Sequence, residues 1–167
     1  MAGSNARSSE ETTNTREIVI TRVFDAPREL VFKAWLDPGH LAQWWGPKGF
    51  TNPICEVDAR PGGSWRVVMR APDGSEYPCK GIYREIVAPE RLVFSNMAED
   101  GEGNPVLDGF TTVTFEDEGG KTKLTLRTRA TALVPEAVSR LGGMDVGWSL
   151  SLDRLAARVA LIAGREC

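Results

Sequence analysis

The stretch MDVGWSLSLDRLAARVALIA, residues Met144 to Ala163, decides the fold. Within it Trp148, Leu152, Leu155, Val159 and Ile162 recur at offsets of four, three, four and three, the spacing of one face of an α-helix. Asp153, Arg154 and Arg158 fall mostly off that face, and Ser151, Ala156 and Ala160 flank it. Gly142-Gly143 interrupts any helix before the stretch, and Gly164 reads as its stop. At about 1.5 Å per residue the helix would run about 28 Å, enough to cross a small domain. An amphipathic helix of that length needs a sheet to lie against.

The residues before it supply one. Pro135 to Leu141 is a brief helical lead-in. Phe110–Glu116 and Lys121–Arg129 read as strands pairing across Asp117-Glu118-Gly119-Gly120. Leu124, Leu126 and Thr128 share one face, and Lys123, Thr125, Arg127 and Arg129 the other. Further back, Pro53–Asp58, Ser64–Arg70, Glu76–Val87 and Arg91–Met97 are strands. They are separated by the turns Arg60-Pro61-Gly62-Gly63 and Pro72-Asp73-Gly74, and followed by a loop from Ala98 to Val106. Trp65, Val67 and Met69 alternate with Arg66 and Arg70, and Tyr77, Cys79, Gly81 and Tyr83 oppose Lys80, Ile82 and Arg84. The first strand is Glu17–Phe24. Asp25-Ala26-Pro27 then starts a helix, with Pro27 near its first position and Leu30, Val31, Ala34 and Trp35 on its apolar face. Asp37-Pro38 starts a second helix carrying Leu41, Trp44 and Trp45, and Gly46-Pro47 ends it. Hairpin-length turns make the sheet antiparallel, and alternating polar residues leave one face wet. The expected class is α+β, a sheet of six to seven strands whose apolar face is covered by the long helix.

Composition narrows the function classes. Hydrophobic residues make up 41% of the chain and charged residues 26%, an ordinary globular balance. A net charge of −3 gives no electrostatic reason to expect nucleic acid. No apolar run approaches the ~18 residues of a transmembrane helix, so no membrane insertion is expected. The N-terminus lacks a signal-peptide core, and Cys55, Cys79 and Cys167 are odd in number and irregularly spaced, which reads as free thiols in a reducing cytoplasm. Residues 1–15, rich in Ser, Thr, Asn and Glu, read as a disordered tail, and 16–167 as a single domain. Five Trp residues are a surplus of rigid aromatic surface, as a pocket or a strongly aromatic core would use.

Asp25-Ala26-Pro27, Ala34-Trp35-Leu36-Asp37-Pro38, Trp44-Trp45-Gly46-Pro47, Glu56 through Trp65, and Gly147 through Leu155 stand in that order. In these motifs, spanning about Arg16 to Ala163, the chain resembles the SRPBCC superfamily, which includes START-like and birch-pollen-allergen-like proteins. Within it the chain is similar to the branch homologous to the C-terminal domain of the heat-shock-chaperone ATPase activators. The resemblance implies a helix-grip fold, a curved antiparallel sheet wrapped around the C-terminal helix. It leaves function open among lipid and hormone carriers, aromatases and cyclases, ring-hydroxylase subunits and chaperone co-factors.

The resemblance also implies a cavity between sheet and long helix. The residues expected on its walls are Trp44, Trp45, Trp65, Val67, Met69, Gly81, Tyr83, Phe94, Phe110, Val113, Phe115, Met144, Trp148 and Leu152. Gly81, among bulky neighbours, would leave room. For Trp44-Trp45 the alternatives are one core ring with one surface ring, or a ring at the cavity mouth. No metal or cofactor is expected: His40 is the sole histidine, and Cys55 and Cys79 lack ligand spacing. Arg60-Pro61-Gly62-Gly63 lacks the Lys-Ser/Thr of a P-loop and reads as a hairpin turn, with Asp58 and Arg60 as a local ion pair. General acid–base chemistry would draw on Tyr77, Tyr83, Glu85, Asp58 or Asp153. The leading expectation is non-enzymatic binding of a small apolar or aromatic ligand by a monomer or homodimer. The alternatives are a chaperone partner, docking on the acidic tip Glu116-Asp117-Glu118 or the Lys123, Arg127, Arg129 stripe, and a cyclase- or hydrolase-like enzyme. The Gly142-Gly143 break would let the first turns of the long helix move.

Overall fold

The structure, a computed structural model, describes residues 14–166, with side chains as far as residue 163. Strand β1 (Thr15–Phe24) is followed by helices α1 (Arg28–Leu36) and α2 (Pro38–Trp44). Strands β2 (Thr51–Val57), β3 (Ser64–Arg70), β4 (Glu76–Val87), β5 (Arg91–Glu99), β6 (Pro105–Glu118) and β7 (Lys121–Ala132) come next. A 3-10 turn (Pro135–Ala137) leads into the short helix α3 (Val138–Gly142) and the long helix α4 (Met144–Glu166).

The seven strands form one antiparallel sheet in the order β1-β7-β6-β5-β4-β3-β2. From β2 to β7 it is a meander of hairpins. The β6–β7 loop is the two residues Gly119 and Gly120, at φ +65° and +89°, the left-handed pair that matches the twist of the flanking strands. Only β1 is displaced, pairing with β7 at one edge while α1 and α2 carry the chain across to β2 at the other. This is the helix-grip arrangement, and the class is α+β as expected.

Its core lies between the inner face of the sheet and the helices. Leu152, Leu155, Val159 and Ile162 of α4, the face read from their spacing, are buried against Phe24, Leu124, Leu126 and Phe115 in one apolar cluster. Burying each such side chain contributes about 1.5–3 kcal/mol. Trp35 of α1 sits at the centre, stacked on Trp148 with ring centroids 6.2 Å apart and meeting the edges of Trp44 at 4.7 Å and Phe115 at 6.3 Å.

Several expectations are corrected in detail. Pro27 stands next to the first helical position as expected, as the N-cap of α1, but no side chain caps that end. Gly164 does not stop α4, which runs on to Glu166. The strands on either side of the Ala98–Val106 loop extend into it, leaving 100–104 as the connection. The tail expected over residues 1–15 is corrected at its end, where Thr15 opens β1; its residues 1–13, and Cys167 as a free thiol, lie outside the described residues. Among those described, no helix is long and apolar enough to cross a membrane.

Candidate functional site

An open cavity of about 580 Å³ lies between the sheet and the first two turns of α4. One wall is helical. Met144, Gly147, Trp148 and Ser151 follow the i, i+3, i+4, i+7 pattern, so they share one face of α4 and turn it to the cavity. The floor is the sheet, with Trp65 and Met69 from β3, Tyr77 and Cys79 from β4, Asn96, Met97 and Ala98 from β5, Leu107 and Gly109 from β6, and Thr128 and Ala130 from β7. Trp45, Gly46, Pro47 and Phe50 close it at the end of α2, and Arg140 and Leu141 of α3 close it opposite.

Three indoles meet here. Trp45 lies 5.5 Å from Trp65 and 5.4 Å from Trp148, the latter edge to face. Such pairs contribute about 0.5–1.5 kcal/mol each beyond their buried area. Trp45 is held in place through its backbone. Its carbonyl accepts from Arg154 Nη1 at 3.1 Å and from Asn52 Nδ2 at 2.9 Å. Arg154 also donates to the carbonyls of Gly46, Pro47 and Gln43 at 2.9–3.0 Å. A guanidinium on α4 thus gathers the end of α2, where the helix dipole is negative, and desolvation lowers its pKa. Arg154 was read only as a side chain off the apolar face, because backbone carbonyls leave no trace in residue identity.

A chain of hydroxyls crosses the floor. Thr111 Oγ1 donates to Asn96 Oδ1 at 2.8 Å and lies 2.8 Å from Thr128 Oγ1. Thr111 has one proton and spends it on Asn96, so Thr128 is the donor to Thr111. Asn96 lies over Gly109, where an added Cβ would meet its Nδ2 at 2.6 Å. Among the described residues that amide nitrogen has no hydrogen-bond partner, and Asn96 lines the cavity.

The structure brings Trp45, Trp65, Met69, Met144 and Trp148 of the expected wall around this cavity. Trp44, Val67, Tyr83, Phe94, Val113, Phe115 and Leu152 are buried behind it. Both rings of the Trp44-Trp45 pair are buried: Trp44 donates its indole N–H to the carbonyl of Ala34 in the core, at 2.9 Å, and Trp45 faces the cavity. Two wall residues are corrected. Phe110 is 48% exposed on the opposite face of the sheet, because it stands three residues from Val113 in a regular strand and side chains alternate. Gly81 leaves no room, since an added Cβ would overlap the carbonyl oxygen of Ser95 and meet Trp65 Nε1 at 2.5 Å. The lining also holds residues outside the expected wall: polar Asn96, Thr128, Ser151 and Arg140, apolar Phe50, Met97, Leu107 and Leu141 among others, and Tyr77, considered above only for acid–base chemistry.

The carboxylates considered for acid–base chemistry point elsewhere. Asp58 pairs with Arg60 at 2.9 Å, Glu85 with Arg91 at 3.3 Å and Asp153 with Arg22 at 2.6 Å, and none lines the cavity. Burial pushes the Tyr83 phenol up, out of reach of ordinary pH. It pushes the thiols of Cys55 and Cys79 up to about 11. His40 Nδ1 lies 3.1 Å from Arg158 Nη2. Among the described residues no three His, Cys, Asp or Glu side chains form a cluster able to hold a metal ion.

No curated protein matches the sequence. Solved structures do. A Chromobacterium violaceum protein is 32% identical, with 86% of this chain and 96% of that one covered and a TM-score of 0.72. The AHSA1 protein of Silicibacter pomeroyi is 28% identical, covering 87% and 99%, with a TM-score of 0.74. A protein of Arthrobacter aurescens is 26% identical over 86% of each chain, also with a TM-score of 0.74. Residues 25–160 match the family described as Activator of Hsp90 ATPase homolog 1-like protein, and since that is most of the chain, the protein belongs to this family.

Proposed function

We propose that the protein binds a small, largely apolar molecule in the cavity between the sheet and α4. The observation that carries this reading is the cavity itself. About 580 Å³ walled by Trp45, Trp65 and Trp148 falls within the ~300–1,000 Å³ of small-molecule sites, with a few polar groups among apolar walls. Gly147 provides the test. It lines the cavity, and an added Cβ there meets nothing within 4 Å. Gly147→Leu therefore fills the space without disturbing the core and improves helix propensity by roughly 1 kcal/mol. In a thermal-shift and native mass-spectrometry panel of apolar and aromatic compounds, wild type gains stability and mass adducts, whereas Gly147→Leu does neither. Equal responses from both proteins would remove the cavity from consideration.

A second reading, docking to a heat-shock chaperone, is favoured by the family match, whose name-giving member activates the Hsp90 ATPase. The exposed Lys123, Arg127 and Arg129 on the outer face of β7 are the basic surface for it. It predicts a change in Hsp90 ATP turnover on adding the protein, reversed by charge-reversal at those three positions. Unaltered turnover at micromolar protein would dispose of it.

A further inference from the structure

The cavity lining contains one formally charged residue, Arg140. Its guanidinium carbon stands 5.5 Å from the ring centroid of Tyr77, a cation held over an aromatic face. Among the described residues it forms no ion pair. Arg140 and Tyr77 also border a second cavity of about 310 Å³, whose lining is acidic: Glu76, Glu99, Asp100 and Glu136. Three of these carboxylates are already engaged. Glu76 pairs with Arg70 at 2.8 Å, Glu99 pairs with Lys80 at 2.9 Å, and Asp100 accepts the backbone N–H groups of Glu102 and Asn104. Glu136, one helical turn before Arg140, forms no ion pair with it. Arg140 thus stands between the two cavities and is the one formal charge in the lining of the larger, largely apolar one.

We propose that the ligand is an amphipathic monocarboxylic acid, its carboxylate on Arg140 and its apolar body among Trp45, Trp65 and Trp148. This rests on the reading of the cavity as a binding site and names what the site selects. A guanidinium presents parallel N–H donors that match the two oxygens of a carboxylate. One charge suits one charge: a dianion would leave its second charge uncompensated beside the acidic cavity. The free amide nitrogen of Asn96, at the floor, is a donor for a hydroxyl or carbonyl oxygen along the ligand body. A cation finds no carboxylate in this lining.

The test uses three probes of one chain length, dodecanoate, methyl dodecanoate and dodecylamine, below their aggregation concentrations at about pH 8. They are titrated into the full chain by calorimetry and intrinsic Trp fluorescence. Dodecanoate binds tightest to wild type. Arg140→Gln weakens dodecanoate roughly tenfold, as loss of a charged hydrogen bond does, and leaves the ester unchanged. Arg140→Lys recovers part of the loss. Circular dichroism and the thermal midpoint verify that both variants fold, and the ester's unchanged affinity verifies that the cavity persists. If acid and ester bind wild type alike, or if Arg140→Gln weakens all three alike, the carboxylate assignment is overturned while ligand binding stands. If none of the three binds while the apolar and aromatic panel still shifts wild type and not Gly147→Leu, the acid assignment alone falls; if the panel fails as well, the cavity reading falls with it.

Discussion

Trp65 Nε1 donates to the carbonyl oxygen of Ser95 at 3.2 Å across the backbone of Gly81, which has no side chain to stand in the way. The indole that forms part of the cavity floor is thereby pinned to β5 over the intervening strand β4. Gly81→Ala would force strand backbones apart and unseat the ring. It is expected to destabilise the protein by about 1–3 kcal/mol, as overpacking does, read as a lower urea midpoint with an altered Trp emission spectrum. A midpoint and spectrum like those of wild type would show that Trp65 is not held this way.

Arg154 makes the second prediction. Arg154→Met keeps most of the stem's volume but leaves four carbonyls at the end of α2 without their shared donor. Hydrogen bonds to a charged group are worth about 1.5–3 kcal/mol, and a loss of that order is expected in denaturant unfolding. Arg154→Lys should recover little, because one ammonium cannot span that set of acceptors. Because the same contacts fix Trp45, acrylamide should quench Trp fluorescence more in both variants. If Lys serves as well as Arg, the charge rather than the fork is what matters.

The hydroxyl chain predicts a non-additive pair. Thr111→Val strands Asn96 Oδ1 and the Thr128 proton, costing about 1–3 kcal/mol. Thr128→Val removes only the terminal donor and should cost less. The double variant should fall short of the sum, because the second substitution removes a partner already stranded by the first. Strict additivity in the unfolding cycle would mean the two hydroxyls do not interact.

The thiols set a pH dependence. Cys55 and Cys79 are pushed up to about 11 by burial, above an ordinary thiol's value near 9. The folded state therefore holds these protons where the unfolded state releases them. Their contribution is fully present below about pH 9 and is lost as pH rises through about 11. Cys55→Ser with Cys79→Ser should flatten the decline of stability over that window. Alkylation by iodoacetamide should likewise stay slow at neutral pH. Rapid alkylation of the native protein at pH 7 would contradict the raised values of the two thiols.

How much of this was legible beforehand depends on what each residue contacts. The face of α4 was readable because Leu152, Leu155, Val159 and Ile162 are buried for their own apolarity, and spacing reports that directly. The apolarity of Phe110 suggests a wall position, but its parity in the strand sets it against Val113 and Phe115. Gly81 was assigned the right neighbourhood for the wrong reason, since a glycine announces closeness without saying whether space or another chain fills it. Arg154, Asn96 and Arg140 are not legible in sequence because their partners are carbonyls at the end of α2, a hydroxyl on a neighbouring strand and an aromatic face on another element, none of which sequence spacing displays.

The pairing of β1 with β7 has a temporal consequence. Thr15 and Thr131 bond side chain to side chain at 3.1 Å although 116 positions separate them. During synthesis β1 therefore emerges long before β7, its partner, exists, and its Val19 and Val23 remain beside an unsatisfied edge meanwhile. Contacts of such separation also slow folding, because the loop must close before the contact rewards it. Strand β1 is thus the last able to join this sheet, and a nascent chain halted before Lys121 carries it unpaired.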